Sequence, residues 1–213
     1  MNRTDAQVLG VQRFARSTLA ATPWKNGGGS TCEILSWPPG AGVDAFDWRV
    51  SIATIGASGP FSIFEGIDRI IMLLEGDGVR LQALCAGIDQ RLDRPHEPFA
   101  FSGDLGLDCT LLGGPSIDFN VMTQRTRGHA EVRLIDAADH APLPPAHGGL
   151  LMSLCGRWQV GDDVLDAGEG LWWADANAAR GWPAMQPVKT QDATPRLVVV
   201  RWTPTALAGR SAL

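Results

Sequence analysis

The charged and polar side chains that could do chemistry in this chain gather in its first half. Lys25, Arg49 and Arg69 would supply positive charge, and a planar guanidinium can grip a carboxylate through two parallel hydrogen bonds. Asn26, Ser51 and Asn120 would orient a ligand, while Glu33 and Asp104 would fix the cations or accept from an amine or imidazole. Ser62, Asp68 and Arg125 belong to the same set. Taken singly, each is explained by an exposed strand position or a structural ion pair. Taken together, on or beside strongly apolar stretches, they suit a polar pocket at a barrel mouth that binds a small carboxylate.

The stretch Pro23-Trp24-Lys25-Asn26-Gly27-Gly28-Gly29-Ser30-Thr31-Cys32-Glu33 sets a cation, an amide and a carboxylate around three successive glycines. Glycines in a row allow positive φ and close approach to a partner, so Gly27 and Gly28 are candidates for closing the pocket with backbone alone. The plainer reading is a surface turn with a charged rim. The apolar flanks Trp24, Ile34 and Leu35 argue that the loop is tied into a sheet. It is neither a phosphate loop, since no Gly-Lys-Ser/Thr follows, nor a dinucleotide fingerprint.

Other chemistries find less support. The histidines are His96, His129, His140 and His147, with no His-x-His among them, so no protein-bound metal is expected and no cofactor. Gly-x-Ser-x-Gly is absent, and no serine or cysteine is matched to a histidine by a recognisable spacing. Cys32, Cys85, Cys109 and Cys155 are far apart, which argues against a zinc site, a redox pair or a disulfide. Most of them read as small buried apolar residues, with polar-flanked Cys32 the exception.

Length and composition bound the rest. With 213 residues and 45% hydrophobic content, the chain can build a sizeable core. A net charge of −5 argues against a nucleic-acid or membrane-surface footprint. The polar start is unlike a signal peptide and no apolar run reaches the roughly 20 residues of a spanning helix, so a cytoplasmic protein is expected.

The elements that must position these residues are strands. Twenty-five glycines and fourteen prolines break the chain roughly every 8–12 residues, the pattern of a β-sandwich or barrel. Strands are predicted over Val8–Leu19, Thr31–Trp37, Ile70–Leu74, Val79–Leu84, Leu107–Leu112, Ile117–Met122, Glu131–Ile135, Leu150–Leu154 and Arg196–Trp202. Trp48–Ile55 alternates, with Trp48, Val50 and Ile52 on one face and Arg49, Ser51 and Ala53 on the other, a face that is either solvent or a polar-lined cavity. Asp77-Gly78 predicts a hairpin after Leu74, and Arg157–Val160 with Asp162–Leu165 a second one. Ile71-Met72-Leu73-Leu74-Glu75-Gly76 is echoed by Leu151-Met152-Ser153-Leu154-Cys155-Gly156, and each copy is followed by an aromatic strand closed by a small residue and an aspartate, at Asp104 and Asp175. The matched order predicts a duplicated β-barrel unit.

Several of these stretches resemble the HutD/Ves family in that family's order. They are Pro23 to Gly29 with Thr31 and Glu33-Ile34, then Trp48-Arg49-Val50-Ser51-Ile52-Ala53, Gly59-Pro60-Phe61-Ser62, Gly66-Ile67-Asp68-Arg69, Phe101-Ser102-Gly103-Asp104 and Asp118-Phe119-Asn120-Val121-Met122. The resemblance implies an all-β, double cupin-like (bicupin) β-barrel without the usual cupin metal ligands. It divides the chain into a cupin-like barrel over 1–128, carrying the pocket, and a second over 129–213, with strands free to cross between them. It also implies an accessory role in histidine catabolism, with urocanate or formylglutamate as the type of ligand. Cys32 departs from the pattern, where a basic residue is expected.

Three readings follow. The first is a non-enzymatic binder or sensor of a small carboxylate metabolite, its site formed by Lys25, Asn26, Gly27, Gly28, Glu33, Arg49, Ser51, Arg69, Asp104 and Asn120. The second is a metal-independent isomerase, lyase or hydrolase of a similar acid, with Lys25 or Glu33 moving the proton. The third is an interaction protein whose polar cluster is a structural ion network. The expected partner is the small acid, with no nucleic acid and no membrane; the oligomeric state is open, a homodimer among the options.

Overall fold

A computed structural model describes residues 9–42, 45–139, 141–175, 177–188 and 194–205. The first half contains β1 (Leu9–Ala15), β2 (Ala21–Pro23), β3 (Gly29–Trp37), β4 (Trp48–Ile55), β5 (Gly59–Pro60), β6 (Ile67–Glu75), β7 (Val79–Ala83), β8 (Ile88–Leu92), β9 (Pro98–Ser102), β10 (Asp108–Leu111) and β11 (Ser116–Gln124). The second contains β12 (Gly128–Asp136), β13 (Gly148–Cys155), β14 (Arg157–Val160), β15 (Asp163–Leu165), β16 (Glu169–Ala174), β17 (Met185–Val188) and β18 (Arg196–Pro204). Two single 3-10 turns, Arg16–Thr18 and Leu84–Ala86, are the helical content of the described residues. None of it is long and apolar enough to cross a membrane as a helix.

The strands form two inner and two outer sheets. The inner sheets run β2-β3-β4-β11-β6-β9 and β1-β16-β13-β18-β12, and the outer ones β5-β10-β7-β8 and β15-β14-β17. The order β4-β11-β6-β9 in one half is repeated as β12-β18-β13-β16 in the other, with β10-β7-β8 matched by β17-β14-β15. This is the architecture of a double cupin-type β-sandwich, and the echoed segments occupy equivalent strands, β6 and β13. β1 pairs with β16, so the first strand of the chain joins the sheet of the second half.

Alternation explains the layers. Trp48, Val50 and Ile52 of β4 with Phe119 and Val121 of β11 meet Leu150, Met152, Val198, Val200 and Trp202 in a core between the two inner sheets. Trp48 and Trp202 stack there, centroids 6.0 Å apart and 8° from parallel. A second core, rich in tryptophan, fills the space between the inner and outer sheets of the second half around Trp158 and Trp173. The corresponding space in the first half is packed at one end by Ile55, Ile71, Leu81, Phe101 and Leu107.

One turn departs from the sequence expectation. Asp77-Gly78 does not close a hairpin, because β7 pairs with β8 and β10 and never with β6. Gly78, at φ +91°, turns the chain out of the inner sheet into the outer one. A Cβ there would lie 2.1 Å from the Leu92 carbonyl oxygen. Gly156, at φ +69°, serves the same corner between β13 and β14. Asp77 instead accepts from the Gly114 N–H at 2.7 Å, which anchors the corner to the chain entering β11.

Candidate functional site

Arg49, Ser51 and Ala53 lie on the face of β4 that turns away from the central core. Neighbouring strands bring matching residues to that face. In the ladder, Arg49 stands opposite Met122, Ser51 opposite Asn120 and Ala53 opposite Asp118. Glu33 of β3 pairs with Ser51, and Arg69 of β6 with Met122. Four adjacent strands thus carry one polar patch, and it faces a cavity of about 630 Å3 rather than solvent. That volume lies within the range of small-ligand sites, roughly 300–1,000 Å3. The rim is Thr22, Pro23, Lys25, Asn26 and Glu33; Phe61, Ser62 and Phe64 enclose another side.

The glycine loop builds the rim. Gly27, at φ +71°, closes a turn in which the Gly27 N–H donates to the Trp24 carbonyl oxygen at 3.0 Å and the Trp24 N–H to the Gly29 carbonyl oxygen at 2.9 Å. Trp24 folds its indole over Gly29 and donates from Nε1 to Thr31 Oγ1 at 2.8 Å. A Cβ on Gly29 would lie 2.2 Å from the Thr54 carbonyl oxygen and 2.9 Å from the Trp24 ring. The loop is therefore tied into the sheet, as its apolar flanks require. Asn26 Oδ1 accepts from the Gly28 N–H at 3.0 Å, leaving the amide NH2 at the rim.

The floor is buried and polar. Arg69 Nη2 donates to Asn120 Oδ1 at 3.0 Å, and Asn120 Nδ2 donates to Asp118 Oδ2. Phe61, Phe64 and Phe101 surround the guanidinium, with centroids 5.3, 5.5 and 5.0 Å from Cζ. Arg69 Nε and Asp118 Oδ1 are buried without a partner among the described residues, each costing about 1–3 kcal/mol while unpaired. Burial pushes the Asp118 carboxyl up to about 7, against the opposing pull of the Arg69 charge and the Asn120 hydrogen bond. Burial also brings Arg69 down to about 10, so it stays cationic at neutral pH.

Nearer the rim, Arg49 Nε donates to Glu33 Oε2 at 2.7 Å, and Arg49 Nη1 lies 3.9 Å from Met122 Sδ. Lys25 is exposed and has no partner among the described residues. Three cations and two carboxylates line the cavity, a net charge of +1 that becomes +2 when Asp118 is protonated. Among the described residues, no group of three or more His, Cys, Asp or Glu is placed to hold a metal ion. His140 lies outside them.

Of the residues singled out from sequence, the cavity wall brings together Lys25, Asn26, Glu33, Arg49, Ser51, Arg69 and Asn120. Gly27 and Gly28 shape the turn behind that wall. Asp104 is placed elsewhere: it accepts from the Gly66 N–H at 2.6 Å and pairs with Arg125 at 3.0 Å, so it braces the entry to β6 on the far side of Arg69. Arg125 also pairs with Asp68 at 2.8 Å, which places Asp68 and Arg125 in the same outer network. Asp118 was missed, although its alternation with Asn120 and Met122 on β11 puts all three on one face. Phe61 and Phe64 also line the cavity and were not singled out from the sequence. Cys109 is the one fully buried cysteine, its thiol pushed up to about 12 by burial, while Cys85 is exposed and Cys32 and Cys155 are half-buried.

Known proteins share this fold. The HutD family model matches residues 16–189. Protein Ves of Citrobacter koseri is 42% identical over 153 residues, spanning 71% of this chain and 77% of that protein. The structure of HutD from Pseudomonas fluorescens SBW25 superimposes with a TM-score of 0.75 at 31% identity, covering 92% of this chain and all of that one. The Escherichia coli protein Ylba shares the fold at a TM-score of 0.61 and 11% identity, over 94% of each chain.

Proposed function

The chain belongs to the HutD family, and from that premise we propose that it is a non-enzymatic binder of a small carboxylate metabolite. The observation that carries this reading is the charge of the cavity. In a chain of net charge −5, three cations converge on one concave site with only two carboxylates beside them. Arg49 offers its remaining guanidinium N–H groups at the half-buried wall, Lys25 adds a mobile charge at the rim, and Asn26 and Ser51 supply orienting hydrogen bonds. The family resemblance links that acid to histidine catabolism, with urocanate and formylglutamate the first to try.

Thermal-shift titration against a panel of these and other small carboxylates tests the reading. One acid should raise the unfolding temperature saturably. Arg49→Ala should abolish the rise while keeping a cooperative transition; undiminished affinity in that variant would sink the assignment.

The raised Asp118 favours a second reading, a metal-independent enzyme on the same acid with Asp118 as the proton-transfer group. Turnover of urocanate or formylglutamate followed by NMR separates the two.

A further inference from the structure

The cavity floor constrains the other end of the ligand. Asp118 is fully buried on the cavity wall with its two oxygens in different states: Oδ2 accepts from Asn120, and Oδ1 has no partner among the described residues. A buried acceptor left unmatched in the free protein is matched when a ligand brings a donor to it. Resting on the carboxylate-binding reading, we propose that the cavity selects acids that also carry a neutral N–H donor, with Asp118 Oδ1 as its acceptor.

The surroundings set the donor's charge. An ammonium group at Oδ1 would lie among Arg69 and Arg49, both cations of the same wall, so a neutral N–H is favoured over a charged one. Arg69 Nε adds an unpartnered donor on that wall. One acceptor and one donor on the same cavity wall suit a group with both on the ligand, as a primary amide has. The three rings around the Arg69 guanidinium hold that donor in a fixed place. Asn120, bonded to both Arg69 and Asp118, keeps the two in register. The acid end of the ligand is left to Arg49 and Lys25. The equivalent space of the second half is filled by Trp158 and Trp173, so the discrimination belongs to the first half alone.

Succinamate and levulinate are the probes. They share a carboxylate, chain length and a carbonyl oxygen at the same position, and differ in an NH2 that becomes a methyl. Calorimetric titration at pH 8 places Asp118 in its anionic form. Of the groups facing it, Arg69 is then cationic, Asn120 is neutral, and the Cys109 thiol keeps its proton, with Arg49 on the same wall. Wild-type protein should bind succinamate at least about tenfold more tightly than levulinate, as expected where a site is built to accept a ligand N–H. In Asp118→Asn the ratio should fall to within about twofold. Equal wild-type affinities overturn the donor assignment and leave the carboxylate reading standing; binding of neither acid overturns both. A ratio that survives in Asp118→Asn removes Asp118 from the role. The wild-type comparison stands by itself if the variant folds poorly.

Discussion

Asp118 should make the stability of this protein depend on pH in an unusual direction for an aspartate, and the effect is large enough to measure. Its folded-state pKa of about 7 stands above the ordinary 3.8 because burial disfavours the anion. A raised pKa means that the folded state keeps the proton longer than the unfolded chain does. The stability this contributes is fully present below about pH 4 and is lost as pH rises through about 7. The full effect is on the order of 4 kcal/mol, at about 1.4 kcal/mol per tenfold change in proton affinity. Between pH 5 and pH 8 the wild type should lose about 2.5 kcal/mol at this site alone. Asp118→Asn removes the titration and leaves the rest of the protein to respond as before. Urea unfolding of wild type and variant at pH 5 and pH 8 gives four midpoints. The gap between the proteins should shift by about 2.5 kcal/mol in favour of the variant at the higher pH, equivalent to roughly 5–10 °C in unfolding temperature for a chain of this size. A gap that stays constant would refute the claim that Asp118 is held protonated by burial, whatever the absolute stability of the variant.

The other predictions concern the wall and its supports. Gly29→Ala should destabilise the protein by more than about 1 kcal/mol, because its Cβ meets backbone and indole at once, and calorimetry should show weakened acid binding in parallel. Glu33→Gln should leave stability within about 0.5 kcal/mol, as expected for a half-exposed ion pair. The same change frees Arg49 and should tighten carboxylate binding severalfold by titration. Asp104→Asn keeps an oxygen for the Gly66 N–H but loses the ion pair with Arg125, so it should lower the unfolding temperature slightly, yet keep acid affinity within about twofold, since Asp104 lies outside the cavity.

The fold was legible in the sequence where alternation and repetition spoke together. Two copies of an apolar strand ending at glycine, each followed by an aromatic strand and an aspartate, occupy equivalent places in the two inner sheets. Asp77-Gly78 was misread because a turn dipeptide states local dihedral preference alone. Whether the chain reverses within a sheet or leaves it depends on the pairing of β7 with β8 and with the more distant β10, both of which lie beyond the dipeptide. The site divides in the same way. Arg49 and Ser51 share a face by local geometry, so their meeting with Glu33 and Asn120 follows once the strands pair. That the face is closed over by Pro60, Phe61 and Phe64 is tertiary, and no pattern within β4 encodes it. Asp104 lies close to Arg69 in sequence pattern but points to the opposite side of β6, where Arg125 claims it. Short, widely spaced β2, β8 and β17 carry too few residues for alternation to register.

β1 bears on the order of events during synthesis. It leaves the ribosome well before its partner β16, which follows roughly 150 residues later, on the order of ten seconds at ordinary elongation rates. Its composition suits the delay. Val11, Gln12 and Arg13 remain in water even in the finished protein, and Phe14 is the fully buried side chain among those described in β1, seated against Gly170. A nascent chain can therefore carry this segment without presenting a sticky surface, and the inner sheet of the second half is completed at its edge when Phe14 snaps onto Gly170. A strand translated early thus acts as a late clasp, and the stretch that joins it to β2 tethers one half of the molecule to the other.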